Sequence, residues 1–316
     1  MGERAILKHR GLARSYRATI AGPIAGARFA AYSGSMHHWR SRIELSRPFW
    51  EDYRDPLLRL DGESFPGVRK LNSLLPAGLC SRSERPIRFV PANKLPGVEY
   101  EKHIFCTGEV STRDKNWHDL FNALAWSRFP SLKVAMNAVH FQEWGSGRQG
   151  RRGKQRDALT LFDESGVIVV SSSKEHLDAL AGRDWMSVFW ENASAWQDEI
   201  MVFVLGHALL EKFPQPYKSL TAHALLMRLD DSLLRQPRVI LLQMLDEMLA
   251  ERLLAGSILD SPASLSPLPL MGIPGWWSPQ EQNDDFYADQ QVFRIPHENC
   301  PKAPVYTCST WKGNVV

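Results

Sequence analysis

The sequence predicts a mainly helical α+β protein, in which a helical hairpin and a central buried helix pack with a small β-hairpin or sheet. Three observations carry this prediction. The 316 residues are 44% hydrophobic and 23% charged, ordinary values for a globular chain long enough for one large domain or two small ones. Apolar residues recur at three- and four-residue spacing through 116–140, the signature of amphipathic helices. The β-branched run "GVIVVSSS" beside Ser165-Gly166 is a strand signal next to a turn signal.

Residues 1–35 are rich in Arg, Ala and Gly without apolar periodicity, and are expected to be a disordered or extraneous arm, with Met36 as the alternative start. An Arg-rich, acid-poor targeting peptide is a competing reading, whereas Arg28 interrupts the only apolar core a secretory signal could use. Residues 36–115 are irregular, with aromatic anchors Phe49, Trp50 and Tyr53 among many prolines, and are expected to wrap a core. Pro48 and Pro56 separate short helical turns, and "RPIRFVP" (85–91) reads as a short edge strand.

The principal domain is expected over 116–260. Asn116 is suited to cap a helix in which Trp117, Leu120, Phe121 and Leu124 share a face, with Asp119 near its positive end. Pro130 opens a second helix, with Leu132, Ala135, Met136 and Val139 on its apolar side, and the two should pack as an antiparallel pair. The segment 157–173 reads as a β-hairpin with Asp157, Leu159, Leu161 and Asp163 on one face. A capped helix follows over 173–182. The apolar stretch "IMVFVLGHALL" lies in an expected buried helix running from about Trp196 to Phe213. Pro237 and Gly256 bound a strong helix at 238–255. Residues 261–316 are expected to form an irregular C-terminal tail packed on the core, pinned by Trp276 and Trp277.

Charge is unevenly divided. Residues 1–43 carry +7 and the remainder −4, so the acidic body argues against nucleic acid as a partner. The basic, acid-free loop at 145–156 could contact an anionic ligand. No apolar run has the roughly 18 residues a membrane-spanning helix needs. The four cysteines, Cys80, Cys106, Cys300 and Cys308, lack paired spacing and read as reduced thiols of a cytoplasmic protein. Gly-x-Ser-x-Gly, phosphate-loop, dinucleotide and His-Glu-x-x-His signatures are all missing.

The phrases "NWHDLFNALAW", "FPSLKVAMNAVH", "RDALTLFDESGV", "GHALLEK", "PYKSLTAH" and "GIPGWW" followed by "DDFY" together resemble a bacterial, chiefly proteobacterial, domain-of-unknown-function family (DUF 3025). The resemblance covers about 40–295. It implies a soluble bacterial protein and lends no activity.

The chemistry-bearing residues gather on the expected core elements. His118 and Asn122 are four apart on one helix, Asn137 and His140 three apart on the next, and each pair shares a face. If those faces meet they form one polar cluster. A divalent metal, the one cofactor these residues suggest, could take His118, His140 and His207, with Asp119 or Glu211 completing its shell. Such a metal would activate water for hydrolysis while a further carboxylate accepts the proton. The candidate catalytic residues are accordingly Asp119, Arg156, Asp157 and Glu211, Arg156 holding an anionic substrate group through paired hydrogen bonds. Asn122, Asn137, Asp163 and His223 complete the polar set. The alternative is a non-catalytic binding or regulatory module in which the same cluster is a hydrogen-bond network fixing helix to helix.

Overall fold

A computed structural model of the protein describes residues 39–60, 62–92, 99–145, 153–297 and 300–308. The expected N-terminal arm and most of the basic loop lie outside the described residues. The unit from His38 to Val316 is a mainly helical α+β fold built round a five-stranded mixed sheet.

The segment before the core supplies α1 (Arg54–Arg59), α2 (Val68–Asn72), β1 (Arg88–Pro91), α3 (Tyr100–Thr107) and β2 (Glu109–Thr112). β1 and β2 form a separate two-stranded parallel ribbon. Phe49, Trp50 and Tyr53 are buried, and the Tyr53 hydroxyl donates to the Val204 carbonyl at 2.6 Å. Arg238 clamps Asp52 through two bonds of 2.7 and 2.8 Å while lying over the Phe203 ring. This segment is therefore fastened to the core by apolar burial and by a charged pair.

Next come α4 (Trp117–Arg128) and α5 (Pro130–Gly145), with the Asn116 side chain accepting from the Asp119 amide as its cap. Pro130 sits where its missing N–H is harmless. The next helix, α6 (Lys154–Ser165), runs without a loop into β3 (Gly166–Ser171), and α7 (Lys174–Gly182) follows with Ser173 as its cap. Then β4 (Ile200–Val204), α8 (His207–Lys212), β5 (Thr221–Leu229), α9 (Asp231–Leu234) and α10 (Arg238–Leu254) complete the centre. The C-terminal part adds β6 (Ser266–Pro269), α11 (Asp284–Ala288) and β7 (Val305–Cys308).

β3 lies between β4, antiparallel, and β5, parallel. The other edge of β5 is shared, its first half pairing with β6 and its second half with β7. Val167 and Val169 face one apolar core with α4, α7 and the 49–60 segment, whereas Ile168 and Val170 face another with α5, α6 and α10. A sheet covered on both sides needs apolar residues at every position, and "VIVV" and "IMVFV" are such runs.

Three expectations are corrected. The segment 157–165 is helix rather than the first arm of a β-hairpin: Ala158, Leu159 and Phe162 are its buried positions, at helical spacing. The expected helix at 196–213 is instead a strand, a turn at Leu205-Gly206 and the short helix α8. Continuous apolar runs look alike in a buried helix and a doubly covered strand, which is why periodicity misled there. The tail expected to be irregular contributes β6 and β7, edge strands recruited by β5. In addition, α4 and α5 pack chiefly on α8 and α10 respectively rather than on each other. No helix among the described residues is long and apolar enough to cross a membrane.

Candidate functional site

Antiparallel pairing of β3 with β4 puts the start of β3 beside the end of β4, since Val167 pairs with Val204. The α6–β3 junction and the β4–α8 turn therefore meet at one end of the sheet. Two glycines allow the meeting. A Cβ on Gly166 would stand 2.2 Å from the Phe162 carbonyl oxygen, so only glycine can turn helix directly into strand there. A Cβ on Gly206 would stand 2.6 Å from both the Gly166 nitrogen and the Ser165 Cα. With those atoms absent, the amides of Leu205 and Gly206 both donate to the Gly166 carbonyl. Glu164 and His207, on either side of this clamp, are brought together by the backbone.

His118 joins them from α4. Its Nε2 lies 3.1 Å from Nε2 of His207, and its Nδ1 donates to the Glu211 carboxylate at 3.1 Å. A Glu164 oxygen is 3.7 Å from His207 Nε2. His118, Glu164 and His207 each offer one ligand atom within 4.8 Å of the others, a spacing compatible with a shared metal ion. Asp163 faces the other nitrogen of His207, Nδ1, at 3.8 Å, and that nitrogen is buried without a hydrogen-bond partner. The hydrogen bond to Glu211 raises the His118 pKa against the opposing effect of burial. Burial lowers that of His207, only partly offset by Asp163.

A second group of polar residues adjoins the first through Asp163. Lys133, with 6% of its side chain exposed, bonds both Asp163 and Asn122. Burial alone would raise the Asp163 carboxyl, but Lys133 and His207 outweigh it and hold the group below its ordinary value. Asn122 also donates to the Tyr100 hydroxyl, and Asn137 donates to the Glu101 carboxylate at 2.7 Å. The buried ring of His140 is lowered in pKa by that burial.

The structure thus brings His118, His207 and Glu211 of the expected site together, and Asp163 with them. His140 is not in the group of common ligand spacing. Among the mirrored His118, Asn122, Asn137 and His140, Asn122 instead bonds Lys133 and Tyr100, Asn137 bonds Glu101, and His118 bonds Glu211 and His207. Asp119 is engaged by Arg113, through that residue's amide and guanidinium at 2.7 to 3.0 Å, and lies outside the cluster. Arg156 and Asp157 occupy the first turn of α6, about two turns from Glu164. His223, at the start of β5, bonds the Ser165 hydroxyl at 2.7 Å, and burial lowers its pKa.

Sequence reasoning passed over Glu164 and Lys133 as site members. Glu164 is adjacent to Asp163 and falls on the expected β-hairpin, whereas in a helix it stands beside Asp163 at the end next to Gly166. Lys133 offers no signal in sequence, because a lysine on a helix is ordinarily solvated.

A two-sided mixed sheet with a His/His/Glu cluster at the junction of two tight turns defines the class of protein structurally. The chain belongs to the family described as Protein of unknown function (DUF3025), whose family model matches residues 87–297. That span contains every residue of the cluster. No curated protein and no solved structure matches the chain.

Proposed function

We propose that the protein is a cytoplasmic metal-dependent hydrolase, with one divalent transition metal held by His118 Nε2, His207 Nε2 and the Glu164 carboxylate. The observation that carries this reading is the 3.1 Å approach of the two Nε2 atoms. Glu211 accepts from Nδ1–H of His118, so in the neutral ring Nε2 bears a lone pair. For His207, the Asp163 carboxylate beside Nδ1 favours a proton there, leaving a lone pair on its Nε2 as well. Two lone pairs at that distance repel unless a cation lies between them.

The flanking acids support the same reading. A carboxylate on the far nitrogen of a ligating histidine fixes its tautomer and raises its basicity, and Glu211 and Asp163 stand in that relation to His118 and His207. Two imidazoles and one carboxylate would leave a fourth position on a zinc-type ion for water, and the chemistry such an ion would supply is a lowered water pKa. A carboxylate outside the ligand set would take up the proton. Glu211 suits that role better than Asp163, whose bond to Lys133 reduces its basicity. Cys80, Cys106 and Cys300 as free thiols fit a reducing compartment.

A second reading has its own observation. The raised pKa of His118 favours an imidazolium that donates Nε2–H to His207, a metal-free network suited to a binding or regulatory module. Plasma mass spectrometry on untagged protein purified without chelator decides between them. The metal reading expects near-stoichiometric zinc, iron or manganese that is lost from a folded His118→Ala, His207→Ala variant. A wild type that remains metal-free after incubation with each ion refutes it.

A further inference from the structure

Four buried polar atoms beyond the metal cluster lack hydrogen-bond partners among the described residues, Nε1 of Trp50, Nδ1 of His176, Nε of Arg156 on α6 and Nδ1 of His140 on α5, and the last two belong to residues that are charged neighbours of one another. Sequestering such groups unsatisfied is costly, and a bound ligand is one way of satisfying them. The two are within electrostatic reach of each other. Burial pushes the His140 pKa down, Glu101 and Asp163 pull it up, and Arg156 and Lys133 push it down again. Three of these four charged neighbours are already engaged, Lys133 with Asp163 and Glu101 with Asn137. Arg156 makes no ion pair among the described residues.

Arg156 precedes Glu164 by eight residues on the same helix, so the two lie on the same side, about 80° apart round the axis and roughly 12 Å apart along it. A guanidinium presents parallel N–H donors that match a carboxylate or a phosphate, and the adjacent imidazole adds a donor when Nδ1 carries its proton.

The geometry points to Arg156, flanked by His140, as the anchor for an oxyanion of the substrate. The substrate class is an ester or amide bearing a carboxylate or phosphate roughly 12 Å from its scissile bond, the separation set by the helical rise between anchor and cluster. The position of the scissile bond rests on the metal reading; the anion site does not.

The test is calorimetric titration of benzyl phosphate, and separately of phenylacetate, into the full-length protein after removal of metal by chelator. Wild type is compared with Arg156→Met and Arg156→Lys. At least one probe should bind wild type and lose tenfold or more in affinity in Arg156→Met, with Arg156→Lys intermediate. The probe more affected identifies phosphate or carboxylate as the anchored group. Should Arg156→Met fail to fold, Arg156→Gln carries the same comparison. Equal affinities in wild type and variant, or no binding of either probe to wild type, overturns the assignment. Zinc binding measured on the same preparations separates the two readings. Zinc retained without Arg156-dependent probe binding overturns the anchor alone, whereas probe binding intact without zinc overturns the metal reading alone.

Discussion

Asp246 on α10 accepts the amides of Ser131 and Leu132 at 3.0 and 2.8 Å, capping from another helix the very start of α5. That start positions Lys133, Asn137 and His140, so the cap bears on the site as well as on stability. Burial pushes the Asp246 carboxyl up from 3.8 to about 6, even though the two backbone donors and a Ser131 side-chain bond oppose the shift. The folded state therefore holds this proton more tightly than the unfolded chain. Between the unfolded pKa near 4 and the folded value near 6 the native state binds more protons, and stability falls as pH rises. A shift of about 2 units corresponds to roughly 3 kcal/mol across that window. Asp246→Asn abolishes the titration while retaining one acceptor oxygen. Urea unfolding of wild type and variant, followed by tryptophan fluorescence from about pH 4 to 7.5, isolates the effect in their difference. The variant should lose its relative disadvantage progressively as pH rises, by roughly 2–3 kcal/mol in all. A difference constant to within about 0.5 kcal/mol over that range would show that Asp246 is not buried in this way.

Further outcomes follow from other contacts. His140→Ala should retain bound metal while His207→Ala loses it, as read by metal content; equal loss in both would move the ligand set towards α5. Gly206→Ala forces a methyl group to 2.6 Å from backbone atoms of Ser165 and Gly166. It should destabilise by about 1–3 kcal/mol and weaken metal binding with every ligand side chain intact, by separating Glu164 from His207. Asp52→Ala leaves the Arg238 guanidinium with Glu51 at 3.4 Å and the Val202 carbonyl as remaining partners. Because a quarter of that arginine side chain is exposed, the expected loss in denaturant unfolding is about 2 kcal/mol rather than the 3–5 of a fully buried pair.

Local signals were legible where they involve few residues close in sequence. Asn116 as a cap, Pro130 as a helix opener, Ser173 before α7 and the span of α10 between Pro237 and Gly256 all follow from backbone chemistry within one turn. The histidine-bearing helix α4 and the His207/Glu211 spacing on α8 were legible for the same reason. What misled was periodicity without context. Asp157, Leu159, Leu161 and Asp163 alternate like a strand, yet Ala158, Leu159 and Phe162 bury together only in a helix. "IMVFV" carries no alternation because both faces of β4 are covered.

By itself the sequence determined the class of fold, the ends of α4, α7 and α10, the family and the set of histidines and acids available for chemistry. Tertiary structure alone decided which of them meet. His118 and His207 are separated by 89 residues, and their approach depends on α4 packing against α8. The approach of Glu164 to His207 depends on β3 pairing with β4 and on two glycines whose missing Cβ atoms let the junctions touch. Lys133 became a buried partner of Asp163, and Asp246 a remote cap, by the same kind of long-range packing. A residue's type fixes what it can donate, accept or ligate; its neighbours in space fix its charge state and its partner, and those are set by the sheet register and the two cores that cover it.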